Sequence, residues 1–396
     1  MSGADGARTM IAELAEFNVG VSYDGLPDAL AAETKVRLLD AIAVSFAGWD
    51  SPGTTKALAV GRGGLLGEGK ATLWLGGVGL PPDQAAFLNS VVIHSITHED
   101  GGPGGHPSAN AVPAAVALAE SSGASGPDLL AAIAAGYEVQ ARMAEGGLMA
   151  ALEHRGMRGT IVTGSFGAAA AAARAMGLDA ATTADALAFA AAIAVPGIEH
   201  PILEALTDER WLTLAADTRA GASAAILAAA GFEGSKTALE GECGFYEVYL
   251  GRPGRVEEVT DGLGERWCSA ANTTRPYPTG GANIGTVYAT EKLVQGNAID
   301  AAEIERVDVL HPWWRRNTAY AYPGPFTSFE QALLSAGFAV ACVVLEGKMD
   351  WPTVQKLIDD PRALELSRKV RVEGVATWGL HDGDVAITLT DGRVLR

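Results

Sequence analysis

Alanine-rich stretches at helical spacing govern the first two-thirds of this chain, and they are punctuated by capping signals rather than by the alternation of a strand. The run DLLAAIAAGYEVQARM starts at Asp128 behind Ser125-Gly126-Pro127, a helix-start combination. The run GSFGAAAAAARAM stops at Gly177, and Asp179 opens the next helix. GASAAILAAA ends at Gly231 in the same way. Small residues at this density let helices approach closely, which predicts a compact all-α body. Near Trp267 the texture changes. RVDVLHPWW, RKVRVEGV and DVAITLTDGRVLR alternate apolar with polar, Asp391-Gly392 is a turn dipeptide, and FEQALLSAGFAVACVVLEG reads as helix. The expected fold class is mainly α: a large all-helical domain over 1–265 and a smaller α+β domain over 266–396. There is no short-period repeat and no low-complexity linker, so the two parts are expected to pack firmly.

The chain has 396 residues, 29 Lys and Arg against 47 Asp and Glu, and a net charge of −18. Without a dense basic cluster it lacks the electrostatic footprint of a nucleic-acid binder, and it suits an anionic membrane surface poorly. A few local arginines can still reverse the field inside a cleft, so an anionic small molecule stays open. Cys243, Cys268 and Cys342 are too scattered for a disulfide framework or a zinc ribbon. The most apolar run, Ile161 to Met176, is mostly alanine, carries Arg174 and is too short to span a bilayer. The opening MSGADGARTMIAELAEF has neither the basic start nor the apolar stretch of a signal peptide. The expectation is a soluble cytoplasmic protein with neither nucleic acid nor membrane as partner.

Of seven histidines, three fall in IHSITHEDGGPGGHPSAN: His94, His98 and His106, with Glu99 and Asp100 among them. The stretch closes one helix, becomes a Gly/Pro-rich loop, and leads into another helix beginning near Asn110. Imidazole within reach of carboxylate is what proton abstraction at neutral pH requires. His94 and His98 are four residues apart and could hold a metal with Glu99 or Asp100, but no HExxH arrangement is present and no metal is assigned. His94 reads more simply as a hydrogen-bonded structural residue. A second loop places His154, Arg155 and Arg158 just upstream of a helix start, where anions are attracted. A third, TTRPYPTGGAN, offers Arg275 and Tyr277 at the junction of the two expected domains. The glycine-rich loops match neither a P-loop nor a dinucleotide fingerprint, and TIVTGSFG is not a nucleophile elbow.

These loops, in this order, resemble the MmgE/PrpD superfamily, the family of 2-methylcitrate dehydratase and cis-aconitate decarboxylase. The resemblance rests on LLDAIAVSFAG, FLNSVVIHSITHED, HPSANAVPAAVALAE, LLAAIAAGYEVQAR, GTIVTGSFGAAAAAARAMGLDAATTADAL, LEGECGF, RPYPTGGA and SFEQALLSAGFAVACVVLEGK, and covers nearly the whole chain. It implies a large helical domain, a smaller α+β lid, a homodimer and a cofactor-free site between domains. The activities it implies are dehydration, decarboxylation and epimerisation of small polycarboxylates. His106 matches the histidine of the family's His-Pro-Ser motif, and Asp100 matches an acid of the preceding cluster. Thr97 stands where the family places the first of those acids. Arg158 replaces a histidine, Arg210 and Arg275 replace lysines, Ile284 replaces a histidine, and Phe338 replaces a lid tyrosine after Ser335. The chain ends at Arg396, soon after the last strand, so the second domain is expected to be shortened.

The leading expectation is a cofactor-independent lyase, of the dehydratase or decarboxylase type, that abstracts a proton next to a carboxylate of a small organic acid. His106, Asp100 and Thr97 form the catalytic set, with His106 as base. Arg158, Arg210, Arg275, Tyr277, His154 and His98 form the substrate-binding set, because arginine grips carboxylate as a two-pronged fork. Neither cofactor nor metal is expected. Three alternatives stay open: an epimerase, a biosynthetic lyase or cyclase on a less charged substrate met by Ile284 and Phe338, and a non-catalytic anion binder.

Overall fold

In the computed structural model, which describes residues 8–194, 197–198, 200, 206–312 and 319–396, the capping residues set the helix ends. The first helices are α1 (Met10–Gly20), α2 (Asp28–Ala47), α3 (Pro52–Arg62), α4 (Pro82–His94), α5 (Pro107–Ser122) and α6 (Gly126–Met143). There follow α7 (Leu148–His154), α8 (Gly159–Val162), α9 (Gly164–Ala175), α10 (Ala180–Ile193) and α11 (Glu209–Ala229). Ser125 caps α6 by accepting from the Asp128 amide, and Asp179 caps α10 by accepting from Thr182. Gly177 and Gly231 both take positive φ after their helices, as the C-terminal signals require. One helix starts earlier than expected. Helix α5 begins at Pro107 rather than near Asn110, because proline at the first position needs no amide partner and has its φ preset. His106 is therefore its N-cap.

By contacts the chain separates into two units. The first holds Met1–Ser95, Glu99–Glu199 and Trp211–Thr274, and the strands among its described residues are a short antiparallel pair, β1 (Ala71–Leu73) and β2 (Val78–Leu80). Within it α9 is buried along almost its whole length and packs on α5, α6 and α10. Alanine makes this possible: the core is built largely from it, and Gly136 on α6 lets that helix come close to α9. A β-carbon at Gly136 would lie 2.7 Å from that of Ala171 and 2.8 Å from the Gly167 carbonyl of α9. Helix α2 lies against α4, α5 and α6, with Arg37 buried.

Deep in this unit α6 carries a fully buried ion pair, Arg142 Nε to Glu138 Oε1 at 2.6 Å. Arg142 also donates to the carbonyls of Val259, Asp261, Gly262 and Arg266, and Glu138 accepts from the amides of Cys268 and Ser269. The pair thereby ties segment 259–269 to α6.

The second unit comprises Ile96–His98, His200–Arg210 and Arg275–Arg396. Its main helices, continuing the count past α12 (Phe245–Leu250) and α13 (Val256–Thr260), are α14 (Ile284–Gly296), α15 (Phe329–Leu334) and α16 (Ala336–Glu346). Two more follow, α17 (Trp351–Leu357) and α18 (Pro361–Arg368). FEQALLSAGFAVACVVLEG is thus two helices, because Ser335 leaves the helical conformation to cap α16. The sheet runs β4-β3-β5-β6, from β3 (Ile304–Pro312), β4 (Val370–Val375), β5 (Asp384–Leu389) and β6 (Val394–Leu395). Strand β3 is parallel to β4, with Val309 opposite Val372, and antiparallel to β5, with Val309 opposite Val385. The expected turn at Asp391-Gly392 forms, with Gly392 at positive φ. The tryptophans that end RVDVLHPWW, Trp313 and Trp314, lie outside the described residues. No described helix is long and apolar enough to cross a membrane.

Candidate active site

Within the first unit the end of α4, the loop after it and the start of α5 bring two imidazoles onto one carboxylate. Glu99 is fully buried, with Oε1 2.9 Å from His94 Nδ1 and 3.4 Å from His106 Nδ1. The two rings lie 5.6 Å apart. His106 Nδ1 also sits 3.0 Å from the main-chain oxygen of Asp100. A carbonyl can only accept, so Nδ1 carries the proton, and Nε2 is the nitrogen whose protonation is free to change. The side chain of His106 is 12% exposed, whereas His94 and Glu99 are closed off at 1% and 0%. Gly105 lets the loop turn here: its φ is +99°, and a β-carbon would lie 2.0 Å from the Thr160 carbonyl.

Asp100 is buried below this group, and its Oδ1 accepts from the Ser108 amide at 3.0 Å. Burial raises its pKa, against the hydrogen bonds to Ser108 and the pull of Tyr137 and Arg37. Sequence reasoning did not single out three neighbours. Arg37 stacks its guanidinium 4.4 Å over the Tyr137 ring and donates to the Ser269 carbonyl at 2.6 Å. One turn along α2, half-buried Asp40 is pushed up to about 7, first by burial and then by the charges of Asp100 and Glu99. The one trace of this in the sequence is the pair of charges three apart in RLLD, on a helix whose other inward positions are small, apolar or hydroxylic. Nothing local links them to Tyr137 on α6.

A second polar group forms within the second unit. Thr97 holds the left-handed conformation at φ +55°, unusual for a branched residue and a mark of local strain. Its hydroxyl accepts from Arg210 Nη2 at 2.6 Å, and its carbonyl lies 3.3 Å from Arg275 Nη1. Arg210 is buried at the start of α11 and Arg275 is half-buried. Partial burial, and after it the charge of Arg275, lower the pKa of His381. His98 is half-buried beside Thr97 in the chain. Tyr277 turns away to donate to Glu291 Oε2 at 2.6 Å.

The remaining expected residues divide. Arg158 is buried as the N-cap of α8, with Nη1 3.3 Å from Thr213 Oγ1. Arg155 instead reaches the carbonyls of Val248 and Tyr249, and His154 is exposed at the end of α7. Phe338 is wholly buried against Phe326. It therefore does not form an apolar pocket wall; lacking a hydroxyl to satisfy, it joins the core. Among the described residues no group of three or more His, Cys, Asp or Glu side chains is placed to hold a metal ion.

The family model for the MmgE/PrpD N-terminal domain matches residues 12–257, and the chain belongs to that family. It is 28% identical to the cis-aconitate decarboxylase of Homo sapiens, over 94% of this chain and 79% of that protein. To the cis-aconitate decarboxylase of Mus musculus it is 31% identical, over 94% and 78%. It is 28% identical to the cis-aconitate decarboxylase-like protein oryM of Aspergillus oryzae, over 75% and 64%. Family and relatives together support a lyase of the dehydratase or decarboxylase type.

Proposed function

We propose that this protein is a cofactor-independent lyase that moves a proton at the carbon next to a carboxylate of a small polycarboxylic acid. The observation that carries the reading is His106, its Nδ1 held between Glu99 and the Asp100 carbonyl so that Nε2 performs the transfer. In a decarboxylation the bond to the carboxylate carbon breaks, its electron pair stays on the skeleton, CO₂ leaves, and one proton is added to carbon. In a dehydration the carbon loses a proton and the hydroxyl departs as water. Both routes pass negative charge onto carboxylate oxygens, which fixed positive charge stabilises. Within the first unit Arg158 is such a charge, and arginine stays charged throughout because it cannot act as acid or base at neutral pH; Arg210 and Arg275 carry the same fixed charge in the second unit. Asp100 orients the loop that holds His106, and Thr97 positions both Arg210 and Arg275. The named relatives put cis-aconitate first among substrates to try.

The test compares the parent chain with His106→Ala on cis-aconitate and related citrates, following CO₂ release and dehydration, with binding measured by calorimetry. Lost turnover with retained binding is the expected result. A parent that binds such acids but converts none would leave an anion-binding protein instead. Turnover should survive exhaustive chelation; stoichiometric metal whose removal abolishes it would overturn the cofactor-independent reading.

A homodimer formed through the helical body belongs to the same proposal. Val36, Leu39 and Phe46 line the outer side of α2, with Trp49 just beyond, all large, apolar and exposed. A monomeric mass in light scattering at micromolar concentration would count against it.

A further inference from the structure

Helix α2 contributes a residue to the His106 cluster that the mechanism above does not use. Asp40 lies one turn after Arg37, and its Oδ2 is buried without a hydrogen-bond partner. The groups that interact electrostatically with it are Asp100 and Glu99, from the loop after α4, and Tyr137 on α6. Glu99 in turn holds His94 and His106, and on α2 itself Arg37 faces Glu33. The carboxyl of Asp40 is close enough to Asp100 and Glu99 that their charges act on it. Arg37 is committed elsewhere: its guanidinium donates to the Ser269 carbonyl, stacks on the Tyr137 ring and lies with Nε 3.7 Å from Glu33 Oε1.

A buried carboxylate oxygen that no donor reaches disfavours the ionised form. Protonated, Asp40 leaves the negative charge of the cluster to Glu99 and Asp100. Ionised, it adds a further charge beside the carboxylates that hold His106. We infer that Asp40 is a positioning residue that sets the acid strength of His106 through Glu99 and Asp100, switching His106 from the better acid to the better base as Asp40 loses its proton. Asp40 touches no substrate in this role. The inference rests on the reading of His106 as the proton-moving group.

The direction is fixed by charge. Above neutral pH, where Asp40 with its raised pKa of about 7 is ionised, its charge favours the imidazolium of His106. Asp40→Asn removes that charge and keeps the shape. Imidazole NMR of the whole chain, with His106 assigned through His106→Gln, should then give a titration of His106 lower than in the parent by about half a unit or more. The profile of kcat against pH should lose its inflection near neutrality while KM stays within about twofold, and Asp40→Glu should restore the inflection. Superimposable titrations of His106 in parent and Asp40→Asn would overturn the inference.

If Asp40→Asn does not fold, Asp100→Asn serves instead. It should move the carboxyl titration of Asp40, read by ¹³C NMR, down toward the ordinary aspartate range, and an unmoved titration overturns the inference. Failure of the wider reading looks different. A parent with no turnover on any carboxylate sinks the lyase, while the coupling of Asp40 to His106 still stands or falls by NMR.

Discussion

The first unit buries two clusters made from the same kinds of residue, and they are finished differently. Around Glu138 and Arg142, the guanidinium reaches a carboxylate and four carbonyls, and the carboxylate takes two amides besides. Around Asp100, the Asp40 Oδ2 is buried with no hydrogen-bond partner, and the Arg37 guanidinium reaches one carbonyl and the face of a ring. A satisfied network rigidifies; one left open is costly, and such groups gather where chemistry occurs. The difference separates frame from site without reference to residue type. The arginines of the second unit make a further contrast, since they hold charge that pH does not change.

The largest effect is expected from His106→Ala. If the open cluster is the site, kcat should fall about 10²- to 10⁴-fold with the melting transition little moved. A variant that melts early and keeps its turnover would make this cluster another frame. Arg142→Ala tests the other side. Removing one partner of a buried pair leaves an uncompensated charge, so urea unfolding should show a loss of about 3–5 kcal/mol. Folded Arg142→Ala with normal stability and no turnover would reverse the assignment of the two clusters.

The two clusters were not equally legible in the sequence. Ser125 and Asp179 are local signals, and the helices they cap begin where those residues predict. His106 and Asp100 stood out because histidines are few and cluster in one loop. Arg37, Asp40 and Tyr137 did not, because each is an ordinary member of a long helix, and only the packing of α2 on α4, α5 and α6 joins them. Glu138 and Arg142 have the i,i+4 spacing of an ordinary surface pair, which says nothing of burial, and both are fully buried. Phe338 shows the opposite limit: matching it to a family tyrosine said nothing about whether its ring would face a ligand or the core.

A smaller effect is expected in the second unit, where charge is permanent. Arg210→Ala should weaken binding of a polycarboxylate about ten- to more than a hundredfold, the worth of a charge-assisted bond at about 1.5–3 kcal/mol. Arg210→Lys keeps the charge without the fork and should fall between. The loss should not vary between pH 6 and 8, because arginine keeps its charge across that range. Isothermal titration against cis-aconitate and an analogue lacking one carboxylate decides it: equal losses for both would mean Arg210 does not read that group.

The smallest expected effect is thermodynamic and again concerns Asp40. Its pKa is about 7 in the folded chain and near 3.8 unfolded. Between those values the folded state holds a proton that the unfolded state has released, so the stability from this group is fully present below pH 4. It is lost as pH rises through 7. Burial of Asp100, Glu240 and Glu330 works in the same direction, and burial of His311 in the opposite one, so the slope of the parent alone decides nothing. The difference between parent and Asp40→Asn isolates the group. Unfolding in urea at pH 5 and pH 8 should show the parent losing more stability than the variant, by on the order of 1 kcal/mol once solvent screening of a half-buried carboxyl is allowed for. Equal losses would mean that Asp40 ionises in the folded chain as readily as in water.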